Sequence, residues 1–231
     1  LGDVVASAAH VRILSSGSVL DADDASVGDD TDTDVSALSL SISAGKGVGL
    51  LAGNSLSAPV NALDTDVDEL SVEVDGNDGV NILEADGLTI GDTTEVTVRK
   101  VRWEASTVEQ IRSSQSDVVV GNTNGDNGSV VIRVDSGNLT VSEGTADDDL
   151  SAAAIVSHGS GNILLESVSG SMSFLENADV QTQREAGGSL VSGSGHISLV
   201  AQTDMVLGAN VDVETGGVGT LYALTGTGDL T

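Results

Sequence analysis

Two stretches near the C-terminus repeat each other: Gly161-Asn-Ile-Leu-Leu165 matches Gly195-His-Ile-Ser-Leu199 at an offset of 34. Apolar and polar side chains alternate in both, which is the period of a β-strand rather than of a helix. A second pair, Ala178-Asp-Val-Gln-Thr182 and Val211-Asp-Val-Glu-Thr215, recurs at an offset of 33. A fixed recurrence of this kind predicts a fold in which one supersecondary unit is copied along the chain.

The recurrence continues toward the N-terminus. Gly128 precedes Gly161 by the same offset as the second pair. Further back, Thr33-Asp-Val-Ser-Ala-Leu-Ser-Leu-Ser-Ile42 recurs as Thr65-Asp-Val-Asp-Glu-Leu-Ser-Val-Glu-Val74, at an offset of 32. The repeat therefore covers both halves of the chain, with a period near 33.

The copies differ in length. The offset between Gly195 and Gly219 is only 24. We therefore expect a basic unit of about 24 residues, enlarged in other copies by an insertion of about 10 residues. Residues 184–194 and 146–159 are the expected insertions.

A unit of two or three short strands cannot bury an apolar face alone, but successive units can when they stack as coils of a solenoid. Strands of adjacent coils then pair in parallel about 4.8 Å apart. We predict an all-β chain, a parallel β-helix with loop insertions, formed by residues 1–231 as one segment of about seven coils. A β-sandwich of repeats stays the alternative, because alternating strands also suit that fold. The side chains expected to point inward include Ile163, Leu165, Ile197 and Leu199.

Composition limits the function. The 231 residues carry 36 acidic and 8 basic side chains, a net charge of −28, and no cysteine. The negative charge excludes nucleic acid as a partner. The lack of a long apolar run excludes insertion into a membrane, and the lack of cysteine excludes thiolate metal sites. Trp103, Phe174 and Tyr222 are the only aromatic residues, which argues against a shaped enzyme pocket.

Residues 161–182, 195–215 and 219–231 resemble the degenerate G-N-I-x-L, G-D-I-x-L and A-x-V-x-T units of bacterial surface proteins of the filamentous haemagglutinin type. Residues 70–90 are similar to units of giant repetitive adhesins. The resemblance implies a right-handed parallel β-helix, an extracellular place at the bacterial cell surface, and a role as shaft, fibre or matrix component. Because the chain begins at Leu1 rather than Met, we expect it to be an excerpt of a longer polypeptide.

Acidic clusters are the candidate metal site. Carboxylates at alternate positions suit Ca²⁺, a cation that prefers oxygen ligands. At the offset of 32, Asp32 stacks on Asp64, and Asp34 stacks on Asp66. Two like charges about 4.8 Å apart repel by roughly 0.9 kcal/mol even in water, and a bridging cation relieves this repulsion. The candidate Ca²⁺ ligands are Asp30, Asp32, Asp34, Asp64, Asp66 and Asp68.

A second interpretation of these acids stays open. Around Asp30, Asp32 and Asp34, Val35 stands where an EF-hand loop needs Gly, and Ser41 stands where it needs Glu. The carboxylates then form solvated corners that maintain solubility, or a surface adapted to high salt.

The sequence predicts no catalytic residue and no cofactor site. His10, His158 and His196 occupy different places in the repeat and are expected at the surface, without a shared metal. No G-x-S-x-G motif is present. The glycines of 193–195 and 226–228 are expected at corners rather than in phosphate-binding loops.

A basic segment holds four of the eight cationic side chains. Two interpretations stay open: a solvated strand face whose Trp103 covers the core, or a contact patch for an acidic neighbour. Residues 104–116 also allow a short helix, because Val108 and Ile111 are three apart. The four cations are Arg99, Lys100, Arg102 and Arg112.

These observations predict a non-enzymatic structural or adhesive solenoid. Its expected partners are other copies of the chain in an elongated assembly, since the repeat runs through residues 219–231 without a polar cap, and host or matrix glycans or proteins. The alternative is a carbohydrate-active β-helix enzyme of the lyase or hydrolase type. That enzyme would need paired carboxylates, or Ca²⁺ with a basic residue, in a groove with aromatic platforms.

Overall fold

The computed structural model describes residues 1–22, 32–51, 61–121, 128–145, 153–186 and 189–231. Every regular element in these ranges is a strand, which confirms the all-β prediction. Eighteen strands belong to one large, curled, mostly parallel sheet, and two form a separate antiparallel hairpin. The strands are β1 (Val4–Ser15), β2 (Val35–Ala44), β3 (Gly47–Val48), β4 (Leu63–Val74), β5 (Gly79–Glu84), β6 (Leu88–Ile90), β7 (Val96–Val101), β8 (Thr107–Arg112), β9 (Val118–Val120), β10 (Val130–Val134), β11 (Leu139–Val141), β12 (Ile155–His158), β13 (Ile163–Ser167), β14 (Met172–Phe174), β15 (Val180–Ala186), β16 (Ser189–Ser192), β17 (Ile197–Ala201), β18 (Met205–Leu207), β19 (Val213–Glu214) and β20 (Leu221–Thr225).

The parallel strands stack in three ladders. The first contains β3, β5, β10, β13, β17 and β20 in that order. The second contains β6, β11, β14 and β18, and the third contains β9, β12, β15 and β19. The longer strands β1, β2 and β4 pair side by side, and β4 then pairs along its length with one strand of each ladder. Parallel pairing between neighbouring units rules out the antiparallel β-sandwich alternative.

The register confirms the repeat in the C-terminal half. Ile163 pairs with Val130 on one side and with Ile197 on the other, at offsets of 33 and 34. Ile197 pairs with Leu221 at the predicted short offset of 24. The four side chains predicted to point inward are all buried in one aliphatic core.

In the N-terminal half the predicted register is wrong by two residues. Val35 pairs with Thr65, so the offset between β2 and β4 is 30 rather than 32. A shift of two residues keeps every side chain on the same face of the sheet, so apolar alternation alone cannot detect it. The correction places Asp34 beside Asp64, where the sequence had paired it with Asp66.

Recurring glycines occupy a corner where successive coils touch. A Cβ added to Gly161 would overlap the carbonyl oxygen of Gly128, and one added to Gly195 would overlap that of Gly161. Gly219 meets the carbonyl of Gly195 in the same way. The glycine repeat is therefore required by close backbone approach.

Insertions leave the ladders as antiparallel hairpins. β15 continues into a hairpin with β16, which confirms an insertion within residues 184–194. The prediction for residues 146–159 is wrong in its second half, because β12 is a buried rung between β9 and β15. The helix alternative for residues 104–116 is also wrong, since β8 pairs there with β7.

Candidate functional site

A row of side-chain acceptors joins the coils along one corner, and we call it the corner row. Ser129 Oγ accepts the backbone N–H of Asn162 at 2.9 Å, and Asn162 Oδ1 accepts that of His196 at 2.8 Å. His196 Nδ1 accepts the N–H of Thr220 at 3.1 Å. Each polar residue thus binds the equivalent amide one coil further on, so His196 has a structural role in the corner row.

Carboxylates make the same bond at other corners. Asp179 Oδ1 accepts the N–H of Asp212 at 2.7 Å, and Asp204 Oδ1 accepts that of Asp229 at 2.9 Å. Part of the aspartate content is therefore explained by hydrogen bonds between coils. Burial and the nearby charge of Asp212 raise the pKa of Asp179, although its bond from the Asp212 amide opposes this.

The first acidic group consists of Asp21, Asp34 and Asp64, which each present an oxygen within 4.8 Å of the others. Asp34 is buried, and its Oδ2 accepts the Asp64 N–H at 3.0 Å. The structure thus joins two predicted ligands with Asp21, which the sequence argument had not selected. Asp32 is exposed and belongs to neither group found among the described residues, and Asp30 lies outside those residues.

The second acidic group consists of Asp66, Glu84 and Asp86, again with one oxygen each within 4.8 Å. Glu84 is completely buried, and its carboxylate accepts bonds from Thr65 Oγ1 at 2.6 Å and from the Val67 N–H at 3.0 Å. Burial raises the pKa of Glu84 to about 7. This group combines a predicted ligand, Asp66, with a buried carboxyl that the sequence argument missed.

The predicted ligand Asp68 affects the second acidic group through its charge. It is exposed, and it belongs to neither acidic group of the described residues. Desolvation and the charges of Asp66 and Asp68 raise the pKa of Asp86. The exposed carboxylates of Asp66, Asp68 and Asp86 therefore repel one another.

A signal for Glu84 was present in the alternation of β5. Val80, Ile82 and Glu84 are two residues apart, so they share the inward face of the strand. Glu84 pairs with Val134 of β10 on one side of β5 and with Thr65 of β4 on the other. A carboxyl that takes its place in the alternation of buried aliphatic residues indicates an ionisable side chain that points into the core.

Two further predictions about single residues are wrong. His158 is buried rather than exposed, and its Nδ1 lies 3.1 Å from the Val120 carbonyl oxygen. Trp103 does not cover the core, because it is fully exposed beyond the end of β7. Trp103 therefore belongs to a projecting element.

That element is the basic hairpin formed by β7 and β8. Lys100 and Arg102 line a groove of about 620 Å³ together with Trp103, Val108 and Gln110. Of the residues that the structure describes, none of the four cations of this segment lies within 4.0 Å of a carboxylate. The hairpin thus presents positive charge and an indole ring to solvent.

Comparison of the chain with models of protein families, with curated proteins and with solved structures gave no match in any of the three. In the part of the chain that the structure describes, no helix is long and apolar enough to cross a membrane. The function is therefore argued from the ladders, the corner row, the acidic groups and the basic hairpin.

Proposed function

We propose that the chain is a non-enzymatic structural or adhesive segment, a right-handed parallel β-helix that serves as shaft or fibre component of a bacterial surface protein. The observation that carries this proposal is the continuity of the three ladders. Strands of successive coils pair in parallel, and equivalent aliphatic side chains lie in register, as Ile163 does with Ile197. Right-handed crossovers are strongly favoured between parallel strands because strands twist to the right.

The bonds between coils support a rigid shaft. Backbone ladders run along the stacking direction, and the corner row adds side-chain bonds in that direction. Bending such a body would break many bonds at once. Rigidity along one axis is the property that a surface fibre needs in order to hold a binding region away from the cell.

Charge and surface pattern support an extracellular place. The net charge of −28 keeps such bodies soluble and opposes their side-by-side association. The G-N-I-x-L-like units at residues 161–165 and 195–199 resemble those of filamentous haemagglutinin-type surface proteins. We propose the bacterial cell surface on these two grounds.

The outermost strands support end-to-end association. Among the described residues β20 pairs only with β17, and it exposes Leu221, Tyr222 and Leu224. An unpaired strand edge with apolar side chains recruits another strand, either from further coils of the same polypeptide or from a second copy. An elongated assembly is the proposed result.

Small-angle scattering combined with a polysaccharide cleavage assay tests this function. We expect an elongated particle and no new reducing ends or unsaturated products from acidic or neutral polysaccharides. A polysaccharide lyase run in parallel controls for the sensitivity of the cleavage assay. A globular particle would contradict the shaft, and cleavage products would assign the chain to the carbohydrate-active enzymes.

A further inference from the structure

The basic hairpin differs chemically from the rest of the chain. Residues 96–112 carry four cationic and two acidic side chains, hence a charge of +2. Because the whole chain carries −28, the remaining residues carry −30. A small positive element thus projects from a strongly negative body.

The cations of the hairpin are not neutralised within it. Glu109 is the cross-strand neighbour of Arg99, yet the two make no ion pair within 4.0 Å. Glu104 instead accepts a hydrogen bond from the Ser106 hydroxyl at 2.7 Å. Both strands of the hairpin therefore offer cations to an external anion.

The groove lies on one face of the hairpin. Lys100 is opposite Val108, and Val98 is opposite Gln110, so these side chains share a face. Arg102 follows Lys100 by two residues, and the Arg102 N–H bonds to the Ser106 carbonyl, which extends the pairing toward the turn. The fully exposed Trp103 closes the groove at the tip of the hairpin.

The geometry points to a binding site for an acidic glycan, with a uronic acid unit in this groove. The indole of Trp103 offers a flat apolar face to the C–H groups of a sugar ring. Lys100 and Arg102 supply charged donors for its carboxylate, and Gln110 and Glu104 supply polar groups for its hydroxyls. The groove is open to solvent, so it would contact one face of a sugar unit within a longer polymer.

The size of the hairpin favours a glycan over a second copy of the chain. Each strand has six residues, so one face measures about 20 Å by 10 Å, or roughly 200 Å². A stable protein interface needs about 800 Å² from each partner. An extended polymer can bind to a narrow ribbon and repeat the contact on neighbouring molecules.

Charge favours a weakly acidic glycan over a nucleic acid. Double-stranded nucleic acid carries one phosphate charge per about 1.7 Å of its axis, which is a higher charge density than one carboxylate per sugar, and the charge of −30 on the body would repel most of these phosphates. A glycan with one carboxylate per one or two sugars needs only the local cations of the hairpin. This inference rests on the proposed adhesive function and names its ligand class.

The intrinsic fluorescence of Trp103 provides the assay, because it is the sole tryptophan of the chain. The full chain is titrated with a galacturonic acid tetramer in EDTA, which prevents Ca²⁺ bridges between the sugar and the acidic groups. We expect a blue shift and saturable binding that weakens as NaCl is added. Neutral cellotetraose and an oligo-dT strand serve as comparison ligands.

Variants separate the site from a general charge effect. Lys100→Gln with Arg102→Gln should weaken tetramer binding at least tenfold, whereas Lys46→Gln, an exposed cation outside the groove, should leave it unchanged. Trp103→Ala, followed by calorimetry, should abolish binding, and Trp103→Phe should restore part of it. An unchanged melting temperature in each variant shows that the ladders are intact.

Three results would overturn the inference. The first is no saturable binding of the tetramer, and the second is binding of cellotetraose or oligo-dT as tight as that of the tetramer. The third is a fluorescence shift that depends on protein concentration without any ligand, which would indicate a second copy in the groove. The first two results leave the particle shape and the cleavage result unchanged, and the third leaves them unchanged at dilutions where the chain is a monomer. A failure of this inference can therefore be told apart from a failure of the proposed function.

Discussion

Replacement of Glu84 by Gln tests the clearest electrostatic consequence of the fold. The Glu84 carboxyl is completely buried at the inner end of β5. It accepts bonds from Thr65 Oγ1 and from the Val67 N–H, and the carboxylates of Asp66 and Asp86 face it. No cationic side chain contributes to its pKa among the described residues. Ionisation of this group in the folded state is therefore opposed by burial and by nearby like charge.

The sign of the pH effect follows from the direction of the shift. Burial raises the pKa of Glu84 from 4.5 to about 7, so the folded protein holds this proton more tightly than the unfolded chain does. The associated stability is fully present below pH 4.5, is lost as the pH rises from 4.5 to 7, and stays lost above that. At 1.36 kcal/mol per pH unit, the loss amounts to about 3 kcal/mol.

Glutamine can keep the two bonds that join the Glu84 carboxyl to Val67 and Thr65. Its Oε1 accepts the Val67 N–H, its amide donates to Thr65 Oγ1, and the Thr65 hydroxyl turns to the Leu83 carbonyl, which lies 3.4 Å away. We expect Glu84→Gln to raise the free energy of unfolding by about 2 kcal/mol at pH 8 and to leave it nearly unchanged at pH 4.5.

Urea unfolding between pH 4 and pH 8 measures the difference between variant and natural chain at each pH. Asp135→Asn is the matched control, because it removes one exposed carboxylate next to Val134, the residue that pairs with Glu84. Its difference from the natural chain should stay small across the range. If Glu84→Gln gives the same difference at pH 4.5 and pH 8, the assignment of a buried, proton-binding carboxyl is wrong.

Three further outcomes are expected. Asp179→Asn keeps the acceptor for the Asp212 N–H and should not lower the free energy of unfolding, whereas Asp179→Ala should lower it by about 1–2 kcal/mol in urea unfolding. Millimolar CaCl₂ should raise the Tm more than NaCl of equal ionic strength, and Asp34→Asn, which keeps the bond to the Asp64 N–H, should remove the difference. Gly195→Ala should lower the Tm sharply in calorimetry, because its Cβ meets a backbone carbonyl of the preceding coil, and equal Tm values would contradict that close approach.

The sequence predicts the C-terminal ladders well because glycine and aliphatic positions recur together there. Gly161 and Gly195 mark the corner, and Ile163 and Ile197 mark the first inward position, so both spacing and phase are determined. Between β2 and β4 no glycine marks the corner at the start of the strand, and a two-residue shift preserves the phase. The pairing of acidic residues was therefore predicted for the wrong partners.

The sequence could not separate the basic hairpin from the core strands. Val96 and Val98 alternate with polar residues as the rungs do, yet both belong to a ribbon outside the ladders. Apolar alternation indicates a strand, and only long-range pairing decides whether the strand is a rung. The interpretation in which Trp103 covers the core fails for the same reason, because the neighbouring Val96 and Val98 have the pattern of a buried strand.

The corner row has a consequence for how the gene of such a protein can change. If residues 163–196 were deleted, Asn162 would precede Ile197, and one whole rung would leave each ladder. The Asn162 amide oxygen would then face the Thr220 N–H, the partner that His196 has now. Unequal recombination between neighbouring repeats can therefore lengthen or shorten the molecule by whole coils. The side-chain acceptors of the corner row would still bind backbone N–H groups across the new junction. The length of the molecule thus becomes a trait that selection can adjust by copy number, without new contacts having to evolve.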